Sequence, residues 1–187
     1  MSWGVFLIAA WLALACEWGL RGAAALGPTA IAPSFVLVLA VFVAMWAPSV
    51  HALFGCVVLG LGLDLLMQLN AGEGMRVVVG PHALGFLLMG YAVVISRSLV
   101  FRRNIQSGVF LTLLGGLLVA IVATALLGAR GLYGDIEVGR LGGRLVTGFG
   151  SAVASAVLAV VMIPGLTLLS GAFGFRKQRA PEFGTRR

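Results

Sequence analysis

The sequence predicts an all-α integral membrane protein, a bundle of about six transmembrane helices, and three observations predict it. Of 187 residues, 60% are hydrophobic and only 10% are charged, where a soluble domain carries about 25% charged residues. Mean hydropathy is +1.09. The few charges and prolines cut the chain into apolar runs near the ~20 residues that one helical span requires. The charge deficit also excludes a soluble enzyme. Six acidic residues, two histidines, two cysteines and a single lysine, Lys177, leave too few groups for a metal cage or a phosphate loop. A net charge of +7 and a pI near 11.1 would suit nucleic acid only if the basic residues clustered on a soluble face. Here they stand between apolar runs, so the expected partner surface is the lipid bilayer and no nucleic acid.

The spans follow in order. Span one covers 3–25, interrupted near its end by Glu17 and Arg21. The uncharged stretch 22–63 is about twice one span, and Pro28, Pro33 and Pro48 punctuate it. Span two is therefore placed at 33–46, a turn at Ala47-Pro48-Ser49, and span three at 50–69. The polar, glycine-rich segment 70–76 reads as a loop. Span four, 81–101, opens on Pro81, a residue suited to the first helical turn. Span five covers 105–127, and 131–144, with several glycines, two acids and two arginines, reads as an exposed loop. Span six, 145–173, is long enough to tilt or to include an interfacial turn. Residues 1–175 then form one transmembrane domain and 176–187 a basic tail.

Cytoplasmic loops are rich in Lys and Arg. With six spans, eight of the thirteen basic residues fall on the side of the 97–104 connection and the tail, and five on the other. Both termini are expected in the cytoplasm. Ala23-Ala24-Ala25 looks like a signal-peptide cleavage site, but Met-Ser-Trp lacks the basic start such a peptide needs, so an uncleaved first span is expected. Cys16 and Cys56 lie inside apolar runs and read as small buried hydrophobes.

Asp64 is the most informative residue, because a carboxylate within a span costs roughly 2.5–3.5 kcal/mol and rarely faces lipid. Glu17 and Arg21, at i and i+4, lie at similar depth. They can pair with each other, and Arg21 could reach Asp64. Two readings follow: a proton- or ligand-coupled site, or a buried polar lock between spans one and three. The second is preferred, since a relay needs further acids in other spans. His82, after Gly80-Pro81, and His51 are lone histidines for which helix-end hydrogen bonding is expected over metal binding. No cofactor is implied. Gly148, Ala152 and Ala156 recur every fourth position on span six, with Ser151, Ser155 and Ala159 beside them, and allow close helix approach, either internally or to a partner. Gly55, Gly60 and Gly62 do the same on span three.

Pro33-Ser-Phe-Val-Leu-Val-Leu, then Pro48, Gly60-Leu-Gly-Leu-Asp64-Leu-Leu, Gly80-Pro-His82-Ala-Leu84 and Gly90-Tyr91 together resemble the rod-shape-determining protein MreD family. The match covers 33–94. Three features depart from the family pattern. Ser34 stands where Asp or Asn is frequent, the Pro48 turn lacks a frequent arginine, and the 67–79 connection is longer. The resemblance implies a non-enzymatic scaffold subunit of the bacterial inner membrane. It would work in the cell-elongation complex beside an MreC-like single-span protein, the actin-like MreB, and the glycosyltransferase and transpeptidase of lateral-wall peptidoglycan synthesis. The family's six-helix form is also related to the substrate-binding subunits of energy-coupling-factor vitamin transporters. Under that alternative an outward pocket near Arg21, Asp64 and His82 would take a small molecule.

Overall fold

A computed structural model describes residues 1–20, 22–23, 31–71, 74–97, 105–131 and 141–174. Six helices follow in chain order: α1 Trp3–Leu20, α2 Phe35–Trp46, α3 Ser49–Leu66, α4 Pro81–Ser96, α5 Ile105–Gly131 and α6 Leu141–Leu168. Four of them, α1, α3, α5 and α6, are long and apolar enough to cross a membrane. The chain is a multi-pass membrane protein in architecture.

The shortest helix organises the rest. At about 1.5 Å per residue, the 12 residues of α2 reach ~18 Å, well short of a ~30 Å hydrocarbon core. Every residue from Val36 to Met45 is buried, as expected of a helix apolar all round. It touches all five other helices. Because α2 meets protein on every side, it need not span the bilayer unaided.

Successive helices run up and down. One end of the bundle, the Pro48 end, gathers the α2–α3 turn, the end of α4, and Ser2 hydrogen-bonded through its N–H to the Phe173 carbonyl at 2.9 Å. The described chain ends therefore share a side. The other end, the hairpin end, gathers the close of α1, α3 and α5 and the start of α2, α4 and α6.

Several expected boundaries change. Segment 70–76 is no plain loop: strands β1 (Gln68–Ala71) and β2 (Gly74–Val77) form an antiparallel hairpin with Leu69 opposite Arg76. Backbone pairing across the longer 67–79 connection satisfies donors that a bare loop would leave to water. The first helix ends at Leu20, short of 25, and α4 at Ser96, short of 101. Helices α5 and α6 extend to Gly131 and back to Leu141, so Arg130 closes α5, and Arg144, expected in the loop, sits in the first turn of α6. A 3-10 turn, Leu169–Gly171, closes α6. The basic tail and Arg21 lie outside the described residues.

Glycine and alanine set the helix spacing. A Cβ on Gly60 would stand 2.6 Å from the Ala83 Cα and 2.8 Å from the His82 carbonyl oxygen, so α3 and α4 approach this closely only because residue 60 has no side chain. The α6 stripe is filled from within. A Cβ on Gly116 of α5 would meet the Ala152 Cβ at 2.8 Å, and one on Gly148 would meet the Ala120 Cβ at 2.7 Å. Ala152 and Ala156 are buried.

Candidate functional site

Two helices begin inside the bundle, and each start is met by a buried carboxylate. The first N–H groups of any helix lack intrahelical partners, and within a membrane water cannot supply them, so irregular backbone is tolerated only where protein encloses it. At the start of α2, the Glu17 Oε2 accepts from the Phe35 N–H at 2.8 Å, the Val36 N–H at 3.4 Å and the Ser34 hydroxyl at 3.1 Å. Ser34 in turn accepts from the Leu37 N–H at 3.2 Å, the geometry of an N-cap. The extended approach through Pro33 is held by α6: the Ala32 N–H donates to the Ser151 Oγ at 3.3 Å and the Ser34 N–H to the Ser155 Oγ at 2.8 Å.

Asp64 does the same for α4. Its Oδ2 accepts from Gly80 N–H at 2.8 Å and Ala83 N–H at 3.2 Å, and its Oδ1 from His82 N–H at 3.1 Å. The His82 ring completes the set, its Nδ1 lying 2.7 Å from Oδ1. The approach to α4 needs Gly80 at φ 124°, a left-handed backbone that favours glycine. Pro81 follows at the first helical position, where its missing N–H costs nothing. Asp64 is 1% exposed and Glu17 5%. An anion at a helix start also meets the positive end of the helix dipole, which offsets the burial of each charge.

Among the described residues, the two carboxylates expected to lock spans one and three form two separate joints. Glu17 fastens α1 to α2, and Asp64 fastens α3 to α4. In both, the carboxylate stands 18 residues before a backbone N–H that it accepts. The expected pairing of Asp64 with Arg21 falls on a residue outside those described; among the described residues, Gly80, His82 and Ala83 donate to the Asp64 oxygens. His82 makes the helix-end bond expected of it. His51 does not: its Nδ1 is buried without a partner among the described residues, and the ring lies against Trp3, centroids 5.6 Å apart.

Sequence reasoning missed two contributors. Arg97, at the end of α4, donates to the Ala47 carbonyl at 2.7 Å and the Ser49 Oγ at 2.6 Å, bracing the Pro48 turn from 50 positions away. No local pattern announces that contact. Ser151 and Ser155 had a signal, two hydroxyls four apart on one face of an apolar helix, but the signal read as a small-residue stripe. Pro33, Pro48, Gly60, Asp64, Gly80 and His82 are brought together around the two joints and the turn, whereas Gly148, Ala152 and Ala156 form the α5–α6 seam.

No protein family, no curated protein and no solved structure matches the chain.

Proposed function

We propose that this chain is a non-enzymatic scaffold subunit of the MreD kind, supporting cell shape and lateral peptidoglycan synthesis by holding partner membrane proteins of the elongation complex. The observation that carries the reading is the convergence of its motif residues. Gly60, Asp64, Gly80 and His82, separated by up to 22 positions, act as one joint in which Gly60 admits α4 and Asp64 caps it. The three departures from the family pattern have physical counterparts. Ser34 caps α2, as Asp or Asn would. Arg97 supplies the cation missing from the Pro48 turn. The long connection forms a hairpin.

The described ends share one side, and the eight-to-five division of basic residues assigns that side to the cytoplasm. Since the α6 stripe is engaged with α5, the partner helix docks elsewhere, on the lipid-facing flank of α1. Trp11 and Ile8 are exposed there, and among the described residues α1 packs mainly on α2, with a smaller contact to α3.

Deletion in the native host, together with affinity capture from its membranes, tests the reading. The expected result is rounded cells and co-purification of a single-span MreC-like protein, with capture reduced by Ile8→Trp. Normal cell shape, with tight binding of a vitamin by the isolated protein, would replace the scaffold by the transporter subunit.

A further inference from the structure

A cavity of about 540 Å³ lies among the hairpin-end halves of α5 and α6 and the starts of α2 and α4. That is within the ~300–1,000 Å³ typical of small-ligand sites. One wall is apolar, formed by Leu37, Phe86 and Val119, while Arg144, Thr124 and His82 stand among the polar groups, beside the serine hydroxyls of α6 and of the approach to α2.

Arg144, Thr124 and the His82 ring have unused capacity. Arg144 stands in the first turn of α6, where the positive end of the helix dipole adds to its own charge. Among the described residues its guanidinium has no acceptor. Thr124 is 9% exposed. The hydroxyls of Thr112 and Thr147 donate to the carbonyls four residues back; that of Thr124 has no partner among the described residues. The His82 ring is engaged at Nδ1 by Asp64. Because that carboxylate accepts from N–H groups on every side, Nδ1 carries the hydrogen and Nε2 is left for a ligand. Asp64 does not line the cavity, and its charge is committed to the start of α4. Among the described residues, the balance within the cavity is therefore one cation without a carboxylate partner beside hydroxyl and imidazole groups, next to an apolar wall.

We propose that this cavity binds an anionic amphiphile. Its phosphate or carboxylate would be held by the Arg144 fork, which matches two oxygens at once, and by the Thr124 hydroxyl. A short apolar body would lie against Phe86 and Val119. This ligand adds to the scaffold role and does not depend on it. The same chemistry is offered by a soluble organic phosphate and by the headgroup of an anionic lipid.

The test uses the full chain in phosphatidylcholine nanodiscs, with radiolabelled hexyl phosphate as probe in a scintillation proximity assay. One probe per protein is expected, displaced at least tenfold more weakly by inorganic phosphate or by hexanol than by unlabelled hexyl phosphate. Arg144→Gln should weaken binding at least tenfold and Thr124→Val several-fold, with the elution volume and helical circular dichroism of each variant unchanged. Replacing part of the lipid by phosphatidate identifies the source. Competition that grows with phosphatidate content supports a lipid headgroup, and unaltered probe binding supports a soluble ligand. Absence of saturable binding, or saturable binding that Arg144→Gln leaves intact, would overturn the proposal.

Discussion

Replacing Asp64 by leucine and by asparagine separates a helix cap from a merely polar contact. Leucine leaves four N–H groups without their acceptor: those of Gly80, His82 and Ala83, and the His82 ring. At about 1.5 kcal/mol per bond to a charged group, the low end of the range, the loss is about 6 kcal/mol. Asparagine behaves differently because His82 can adapt. The amide oxygen can still accept from Gly80 and Ala83. If the imidazole moves its hydrogen to Nε2, Nδ1 accepts from the new amide N–H. Only the His82 backbone N–H then faces a donor, a loss of about 2–3 kcal/mol. For chains of this size 1 kcal/mol lowers the melting temperature by roughly 2–4 °C. The expected drops are therefore about 12–24 °C for leucine and about 4–12 °C for asparagine. With the half-buried Cys16 replaced by serine, a thiol-reactive coumarin added during heating reads this directly, because Cys56 is fully buried and reacts as the bundle opens. Equal melting of the two variants, or a leucine variant within ~2 °C of wild type, would refute the cap reasoning.

The other expectations use the same melt or simpler readouts. Glu17→Leu should lower stability by about 2–4 kcal/mol, since it strips the start of α2 of a charged acceptor. Gly60→Ala should cost about 1–3 kcal/mol by forcing α3 from α4, whereas Gly4→Ala, where a Cβ meets nothing within 4 Å, should be neutral or stabilising. Ala152→Leu should abolish accumulation of folded protein in membranes, because Ala152 faces Gly116 inside the bundle; normal levels with lost partner capture would move this face to an external interface. In a chain cleared of its native cysteines, an impermeant reagent added to intact cells should label Ala71→Cys and spare Thr185→Cys. The reverse pattern would invert the topology.

The helical architecture was legible because hydropathy is a property of whole segments. Six apolar runs separated by proline and charge became six helices, with ends displaced by up to five residues, as helix starts and stops depend on capping atoms distant in sequence. The importance of Asp64 was legible from the cost of burying a carboxylate. Its partners were not, because an N–H group belongs to every residue and leaves no mark in a sequence. The donors that Phe35 and Val36 offer Glu17 are of this kind. The stripe of Gly148, Ala152 and Ala156 declared close packing but not its partner, which required knowing that Gly116 and Ala120 stand opposite.

The extended approach to α2 bears on how the protein is made. The Ala32 and Ser34 N–H groups, synthesised early, find their acceptors on Ser151 and Ser155, more than a hundred residues later. Until α6 leaves the ribosome and enters the bilayer, this segment has exposed donors in a medium that offers none in return. A nascent chain lacking its last helix therefore carries a built-in mark of incompleteness. Membrane insertases and proteases that recognise unsatisfied polar backbone would distinguish the finished bundle from a truncated one by whether two serines have arrived.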